Sequence, residues 1–165
     1  MFKFYIFLGL MLGIVALINL LEKGSKKSVD FSVYKKKPFL FDVVSELNLY
    51  KILMELYGNE YRIFAQVQYS HLIEPKKSLS WTEQRKHRSR IDKKSADFVI
   101  CYKDTVVPLL VIELDGSVHN QAKVKLNDEF KNNVTNVAGL PLLRLSTQGL
   151  TRELIKSEVD KKLQS

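Results

Sequence analysis

Residues 108–115 place the strongest constraint on the fold. This segment, PLLVIELD, is apolar from Leu109 to Ile112 and ends with two acids, Glu113 and Asp115. A strand that is apolar on both sides has to be covered on both faces, which is typical of the central strand of a sheet packed between helices. We therefore expect an α/β domain built around this strand.

The flanking sequence predicts the other elements. Apolar residues at helical spacing predict helices over residues 43–57, 120–138 and 150–163, with Gly58 and Gly139 ending the first two. Alternating or continuous apolar runs predict strands over 61–69, 96–102, 108–115 and 141–146. The Ser-rich, basic segment 70–94 is expected to be a loop with a short helix near Trp81–Arg88. The predicted order is α-β-β-β-α-β-α.

Strand periodicity also assigns side chains to faces. In the predicted strand 61–69, alternation places Ile63, Ala65 and Val67 on one side of the sheet and Gln66 on the other.

Residues 4–21 form an uncharged, apolar run. Eighteen helical residues at about 1.5 Å each span roughly 27 Å, close to the thickness of a bilayer core, so the run predicts a transmembrane anchor. A cleaved signal peptide is the alternative, but the sequence after the run lacks the small-x-small cleavage pattern. More lysines follow the run than precede it, which predicts that the C-terminal domain lies in the cytoplasm.

Charge and cysteine content narrow the function. The 165 residues include 26 Lys and Arg against 18 Asp and Glu, a net charge of +8. One cysteine, Cys101, and three histidines exclude a disulfide scaffold and a closed zinc shell. The basic charge is concentrated in residues 22–37, a predicted linker, and residues 75–94 within a predicted domain over 38–165. A polyanion partner and a solvated surface both explain these tracts, and anionic lipid is a further partner for the linker.

Acids meet at the end of the central strand. Glu113 and Asp115 point to the same face, and Asp97 opens the preceding strand. A carboxylate inside an apolar strand needs compensation, either from Lys or Arg or from a divalent cation shared with Asp97. Two carboxylates suit a hard cation such as Mg²⁺ better than a soft metal.

Three further residues have two interpretations each. Glu46 lies on the core-facing stripe of the first helix, where an acid is unusual, but acids are also favoured in a first helical turn. His119 follows the central strand. It either contacts a phosphate, carries a proton or binds a metal, or it is a surface or capping residue. Lys131 either aims its ammonium group at the acids or pairs with Asp128 at the surface.

These segments together resemble a known family. The runs 95–101 and 108–116, His119, the pair Asp128 and Lys131, and the run 138–145 resemble the domain-of-unknown-function family numbered 2726. That family resembles a branch of the PD-(D/E)XK nuclease superfamily related to very-short-patch-repair endonucleases. The resemblance covers roughly residues 38–147 and implies a restriction-endonuclease-like αβββαβ core, with a central mixed sheet flanked by helices.

The resemblance implies divalent-metal-dependent hydrolysis of nucleic acid, with DNA the expected substrate. Asp97, Glu113 and the carbonyl of Leu114 would hold Mg²⁺ or Mn²⁺. Glu46 matches the acid that the first helix often contributes, and Asp115 or Glu46 would extend the metal shell directly or through water. The motif lysine, two residues after Glu113, is replaced by Asp115, so Lys131 is the candidate substitute and His119 a candidate proton carrier or charge stabiliser. The residues expected to bind nucleic acid are Gln66, Trp81, Arg85, Lys86, Arg88, Arg90, Lys93 and Lys94.

Two non-enzymatic alternatives remain. The domain is either a catalytically degenerate nuclease fold that binds nucleic acid or a partner at the membrane, or a domain whose basic tracts bind anionic lipid.

Overall fold

The computed structural model describes residues 9, 11–18, 29–116 and 122–164. The chain divides into two units, Met1–Leu40 and Phe41–Ser165. In the first unit, residues 11–18 are helical and Phe31–Val33 form a short 3₁₀ turn. The side chain of Asp30 caps this turn by accepting the Ser32 N–H at 2.9 Å.

The predicted membrane segment is covered only in part. Of residues 4–21, the structure describes residue 9 and residues 11–18. No helix within the described ranges has the length and apolar character needed to cross a membrane. The anchor over 4–21 and the linker over 22–37 therefore stay predictions.

The second unit is an α/β domain with a four-stranded mixed sheet. Its elements in chain order are α1 (Val44–Tyr57), β1 (Tyr61–Gln68), α2 (Trp81–Ile91), β2 (Ser95–Tyr102), β3 (Pro108–Asp115), α3 (Ala122–Ala138), β4 (Leu142–Ser146) and α4 (Arg152–Leu163). The strand order is β1-β2-β3-β4, with antiparallel pairing except between β3 and β4, which are parallel. The predicted α/β class and the internal position of strand 108–115 are confirmed.

Each face of the sheet carries its own apolar core. One core joins α1 and α4 to the sheet, and its fully buried members include Leu49, Leu53, Phe98, Ile112, Ile155 and Val159. The second core joins the opposite face to α2 and α3, and it includes Tyr69, Ile91, Val99 and Val111, with Phe130 and Val134 packed against it. The apolar pattern of β3 is thus explained by cover on both sides.

The pleat of β1 breaks at Gln66. This residue has a φ of 53°, in the left-handed region that side chains rarely adopt. Ile63 and Ala65 pack in the core beneath α1 and α4, but Val67 packs in the core beneath α2 and α3. The prediction that Val67 shares a side with Ile63 and Ala65 is wrong, because the left-handed residue reverses the alternation.

The basic segment before β2 contains more helix than predicted. The helix α2 continues to Ile91, which is buried, instead of ending near Arg88. Its start has a capping box, in which the Ser80 hydroxyl accepts the Glu83 N–H and the Glu83 carboxylate accepts the Ser80 N–H. The spacing Ser-x-x-Glu is the sequence signal for this start.

The turn between β2 and β3 holds a strained residue. Val106 has a φ of 57° and is about half exposed, and a β-branched side chain is disfavoured there. We predict that Val106→Gly stabilises the protein by about 1 kcal/mol in chemical denaturation, because glycine adopts this conformation without strain. The matched Val107→Gly change, next along the same turn, should destabilise. Equal effects of the two substitutions would contradict this account.

Candidate active site

Glu113 is the centre of the candidate site. It lies near the end of β3 and is 5% exposed. Its Oε2 accepts a hydrogen bond from the Lys131 ammonium group at 2.7 Å, and its Oε1 accepts one from the Tyr69 hydroxyl at 2.8 Å. Both carboxylate oxygens therefore have partners, as a buried carboxylate requires.

The helix α3 delivers Lys131 to this position. Phe130 and Val134, on α3, pack against the core that joins α2 and α3 to the sheet, so their side of the helix faces the sheet. Lys131 extends its ammonium group to Glu113 and also donates to the Ser95 carbonyl at 3.0 Å. The same ammonium group lies 5.6 Å from the centre of the Tyr69 ring. One lysine thus joins α3 to the end of β3 and the start of β2.

Asp97 lies beside this pair, on β2. Its Oδ2 accepts the backbone N–H of Leu114 at 2.7 Å. Phe98 pairs with Ile112 across the antiparallel ladder. Asp97, one residue before Phe98, therefore lies opposite Glu113, one residue after Ile112. Gln66 lies between the two β1 residues that pair with Phe98 and Ala96, so its position in the register is opposite Asp97.

Burial is the largest influence on the pKa of each of the two acids. Burial raises the pKa of Glu113, and the nearby Asp97 charge adds to the increase, while the charge and hydrogen bond of Lys131 and the Tyr69 hydroxyl oppose it. Burial also raises the pKa of Asp97, against the Leu114 N–H and the Lys131 charge. Burial, with the charge of Glu113, raises the pKa of the Tyr69 hydroxyl, which therefore stays a donor. Raised carboxyl pKa values in one cluster are typical of functional sites.

Asp115 belongs to a neighbouring ion-pair network. Arg144, on β4, contacts Asp115 at 2.9 Å and Asp128 at 3.2 Å. Its Nε also donates to Asn132 at 3.0 Å. The surface pair between Asp128 and Lys131, considered as an alternative from the sequence, is not formed among the described residues, because Asp128 contacts Arg144 and Lys131 contacts Glu113.

The donor chemistry of the acids fits a hard divalent cation in part. Asp97 and Glu113 provide carboxylate oxygens that lie within electrostatic reach of each other, and oxygen ligands suit Mg²⁺ or Mn²⁺. The Leu114 N–H fixes the orientation of Asp97. Over the ranges that the structure covers, no three His, Cys, Asp or Glu side chains cluster as a metal site. Water or substrate oxygens would have to complete a coordination shell.

The remaining predicted site residues occupy different places. Glu46 is half-buried in the first turn of α1, whose buried residues pack on the face opposite α3. His119 lies outside the described residues. The predicted contribution of both residues to the site stays untested.

Most of the predicted nucleic-acid-binding residues are on α2 or just after it. Trp81, Arg85, Lys86, Arg88, Arg90 and Lys93 are exposed. Lys94 is half-buried, donates to Asn127 at 2.7 Å and lies 5.0 Å from the centre of the Phe130 ring. Lys94 therefore attaches α3 to the segment before β2, whereas the other five cations present their charge to solvent and Trp81 presents its indole ring.

Two residues of the site were not predicted from sequence. Tyr69 is fully buried and starts a 3₁₀ turn after β1, where its N–H donates to the Lys94 carbonyl. No local pattern separates its role from that of a packing tyrosine. Arg144 did have a signal, because it is a single charged residue in the apolar run 141–146, and the parallel register places it beside Glu113.

We predict that Asp97→Asn raises the Tm at pH 7. The raised pKa of Asp97 means that its ionisation costs more free energy in the folded than in the unfolded chain, so its contribution to stability falls as pH rises through the folded value. Asparagine keeps an oxygen for the Leu114 N–H without the charge. The gain should shrink near pH 4, where the unfolded carboxyl also becomes protonated.

Thermal melts at both pH values test this expectation. Asp104→Asn, which changes an exposed acid in the turn after β2, is the control and should leave the Tm nearly unchanged. A lower Tm for Asp97→Asn at pH 7 would contradict the prediction.

Most of the chain matches a known protein family. Residues 40–162 match the family described as Protein of unknown function (DUF2726). No curated protein and no solved structure matches the chain. Since the family match covers the helices and strands of the second unit, the chain belongs to the DUF2726 family.

Proposed function

We propose that this protein is a divalent-metal-dependent nuclease of the PD-(D/E)XK type that hydrolyses phosphodiester bonds in nucleic acid. The observation that carries the proposal is the contact between Lys131 and Glu113 at 2.7 Å, next to Asp97. An aspartate, a glutamate and a lysine are the three groups that the superfamily motif requires. In this chain the lysine comes from α3, whereas position 115, where the motif has lysine, carries an aspartate.

The order of elements also supports the proposal. The sequence α1-β1-β2-β3-α3-β4, with a mixed sheet between helices, agrees with the αβββαβ core of that superfamily, with α2 as an insertion between β1 and β2. A shared fold alone does not establish a shared activity, so the chemistry has to be argued from the side chains.

Each side chain has a role in the proposed reaction. Asp97 and Glu113, with the carbonyl of Leu114, would hold Mg²⁺ or Mn²⁺, which when bound polarises a phosphoryl oxygen and lowers the pKa of coordinated water. Lys131 places a positive charge where negative charge develops on the phosphate. The Tyr69 hydroxyl orients Glu113 through Oε1. The exposed cations of α2 attract the phosphate backbone.

A second candidate function is binding without hydrolysis. Both oxygens of Glu113 already accept hydrogen bonds from protein groups, Tyr69 and Lys131, which favours a structural role for this acid. In that case the domain is a degenerate nuclease fold that binds nucleic acid through α2. Isothermal calorimetry with Mn²⁺ separates the two, since only the nuclease should give heat that Asp97→Asn removes.

The membrane anchor over residues 4–21, with the domain in the cytoplasm, is part of this proposal. It rests on the uncharged run and on the excess of lysine after it.

We predict that the full chain, purified in a neutral detergent, cleaves labelled DNA or RNA with Mg²⁺ or Mn²⁺ and not with EDTA. Asp97→Asn and Glu113→Gln should each reduce the rate by at least about 100-fold, because each removes a charged oxygen ligand. Glu153→Gln, an exposed acid in the first turn of α4, is the matched control and should cleave normally. Cleavage that survives Glu113→Gln, or no cleavage by the wild type, would refute the proposal.

The role of Lys131 gives a separate prediction. Lys131→Met should reduce the rate by roughly 10²- to 10³-fold, the usual loss when one stabilising donor is removed from a transition state. Lys131→Arg should restore part of the rate because it keeps the charge. Circular dichroism of both variants checks folding, since Lys131→Met leaves Glu113 without a cation. Wild-type rates for a folded Lys131→Met protein would exclude Lys131 as the motif lysine.

A further inference from the structure

One surface feature of α2 lies outside the group of residues that would hold the metal ion and act on the phosphate. Trp81 is the single tryptophan of the chain and begins α2 with 72% of its surface exposed. The Arg85 guanidinium lies 5.4 Å from the centre of its ring. An exposed indole with a stacked guanidinium presents an aromatic surface and a positive charge at one place.

Trp81 forms one side of a cationic cavity. Helical spacing places Trp81, Arg85 and Arg88 on the same face of α2. With Lys77 and Glu74 they line an open cavity of about 270 Å³. Three cations against one acid give this cavity a positive balance, which suits an anionic ligand.

The wall of the cavity opposite α2 is held in place by hydrogen bonds. The Gln84 amide donates to the carbonyls of Leu79 at 2.8 Å and Lys77 at 3.4 Å. The capping box of Ser80 and Glu83 holds the first turn, where Trp81 lies. A site that is already formed loses little conformational freedom when a ligand binds.

We propose that this cavity binds an unpaired base of single-stranded nucleic acid, stacked on Trp81, with the neighbouring phosphates on Lys77, Arg85 and Arg88. Stacking on exposed aromatic residues beside a basic groove is the chemistry of single-strand binding, and it tolerates any base. In a duplex each base already stacks on its neighbours, so the same surface gains less from it. The inference rests on the proposed function for the kind of polymer and adds the substrate class, a single strand or a duplex with a single-stranded end.

The single tryptophan makes the test direct. The full chain in neutral detergent and EDTA is titrated with a short oligothymidylate and with a duplex of the same length, while tryptophan fluorescence is recorded. We expect quenching by the single strand at a concentration at least about 10-fold lower than by the duplex, since stacking contributes a factor of this order. Absence of quenching at saturation, or equal quenching by the duplex, would overturn the inference.

Variants separate the aromatic and ionic parts. Anisotropy of a labelled oligothymidylate should show affinity reduced by roughly 5- to 150-fold in Trp81→Ala, the range for loss of one stacked base. Arg88→Gln should reduce the steepness of the negative slope of log affinity against log salt by about 0.7, the value for one phosphate contact with a single strand. Arg152→Gln, an exposed arginine on α4 paired with Glu55, is the control and should change neither quantity. Wild-type affinity in Trp81→Ala would overturn the inference.

Three further outcomes have separate meanings. Quenching in EDTA without cleavage in Mg²⁺ or Mn²⁺ would refute the proposed hydrolysis and leave the single-strand site intact. Cleavage with unchanged Trp81 fluorescence would refute the single-strand site alone. A blue shift with phosphatidylserine vesicles that oligothymidylate does not reverse would assign the cavity to lipid and overturn the inference.

Discussion

The contact between Lys131 and Glu113 organises one end of the sheet. Glu113 is nearly inaccessible to water, and a charge in such a place is tolerated only with a close partner. Lys131 supplies that partner and also holds the Ser95 carbonyl, so a single ammonium group connects α3, β3 and the start of β2. Removing one member of a buried pair typically costs about 3–5 kcal/mol, because the other charge stays behind.

The same contact carries the functional argument. If Glu113 had only a structural role, an apolar residue could take its place on β3, which is apolar from Leu109 to Ile112. Here Glu113 has Asp97 near it, and burial raises the pKa of both acids. The ionisation of both acids therefore opposes folding, and Lys131 links their strands to α3. A cluster that lowers stability in this way is typical of a functional site.

Much of the fold could be predicted from local sequence. The strand 108–115 has the predicted bounds, and α3 ends at Ala138, directly before Gly139, whose φ of 68° explains the stop. The reversed face of Val67 could not be predicted, because nothing in the alternation of β1 reveals a left-handed Gln66. The predicted end of α2 near Arg88 is too early, because the many charged residues of this helix give no apolar periodicity that points to the buried Ile91.

The site shows a similar division between local and tertiary information. The acids of β2 and β3 were identifiable as charges at the ends of apolar strands. The partner of Lys131 could not be identified from sequence, because helical spacing allows a pair with Asp128 as well as a pair with an acid of the sheet. Only the packing of α3 decides between the two. Tyr69 is joined to Glu113 across 44 residues of sequence, a contact that no local pattern encodes.

The most direct test of the central claim is anomalous diffraction from crystals of the full chain grown with Mn²⁺. We predict an anomalous peak within coordination distance of the carboxylates of both Asp97 and Glu113. Crystals at saturating Mn²⁺ with no peak there, and with the ammonium group of Lys131 still bonded to Glu113, would contradict it.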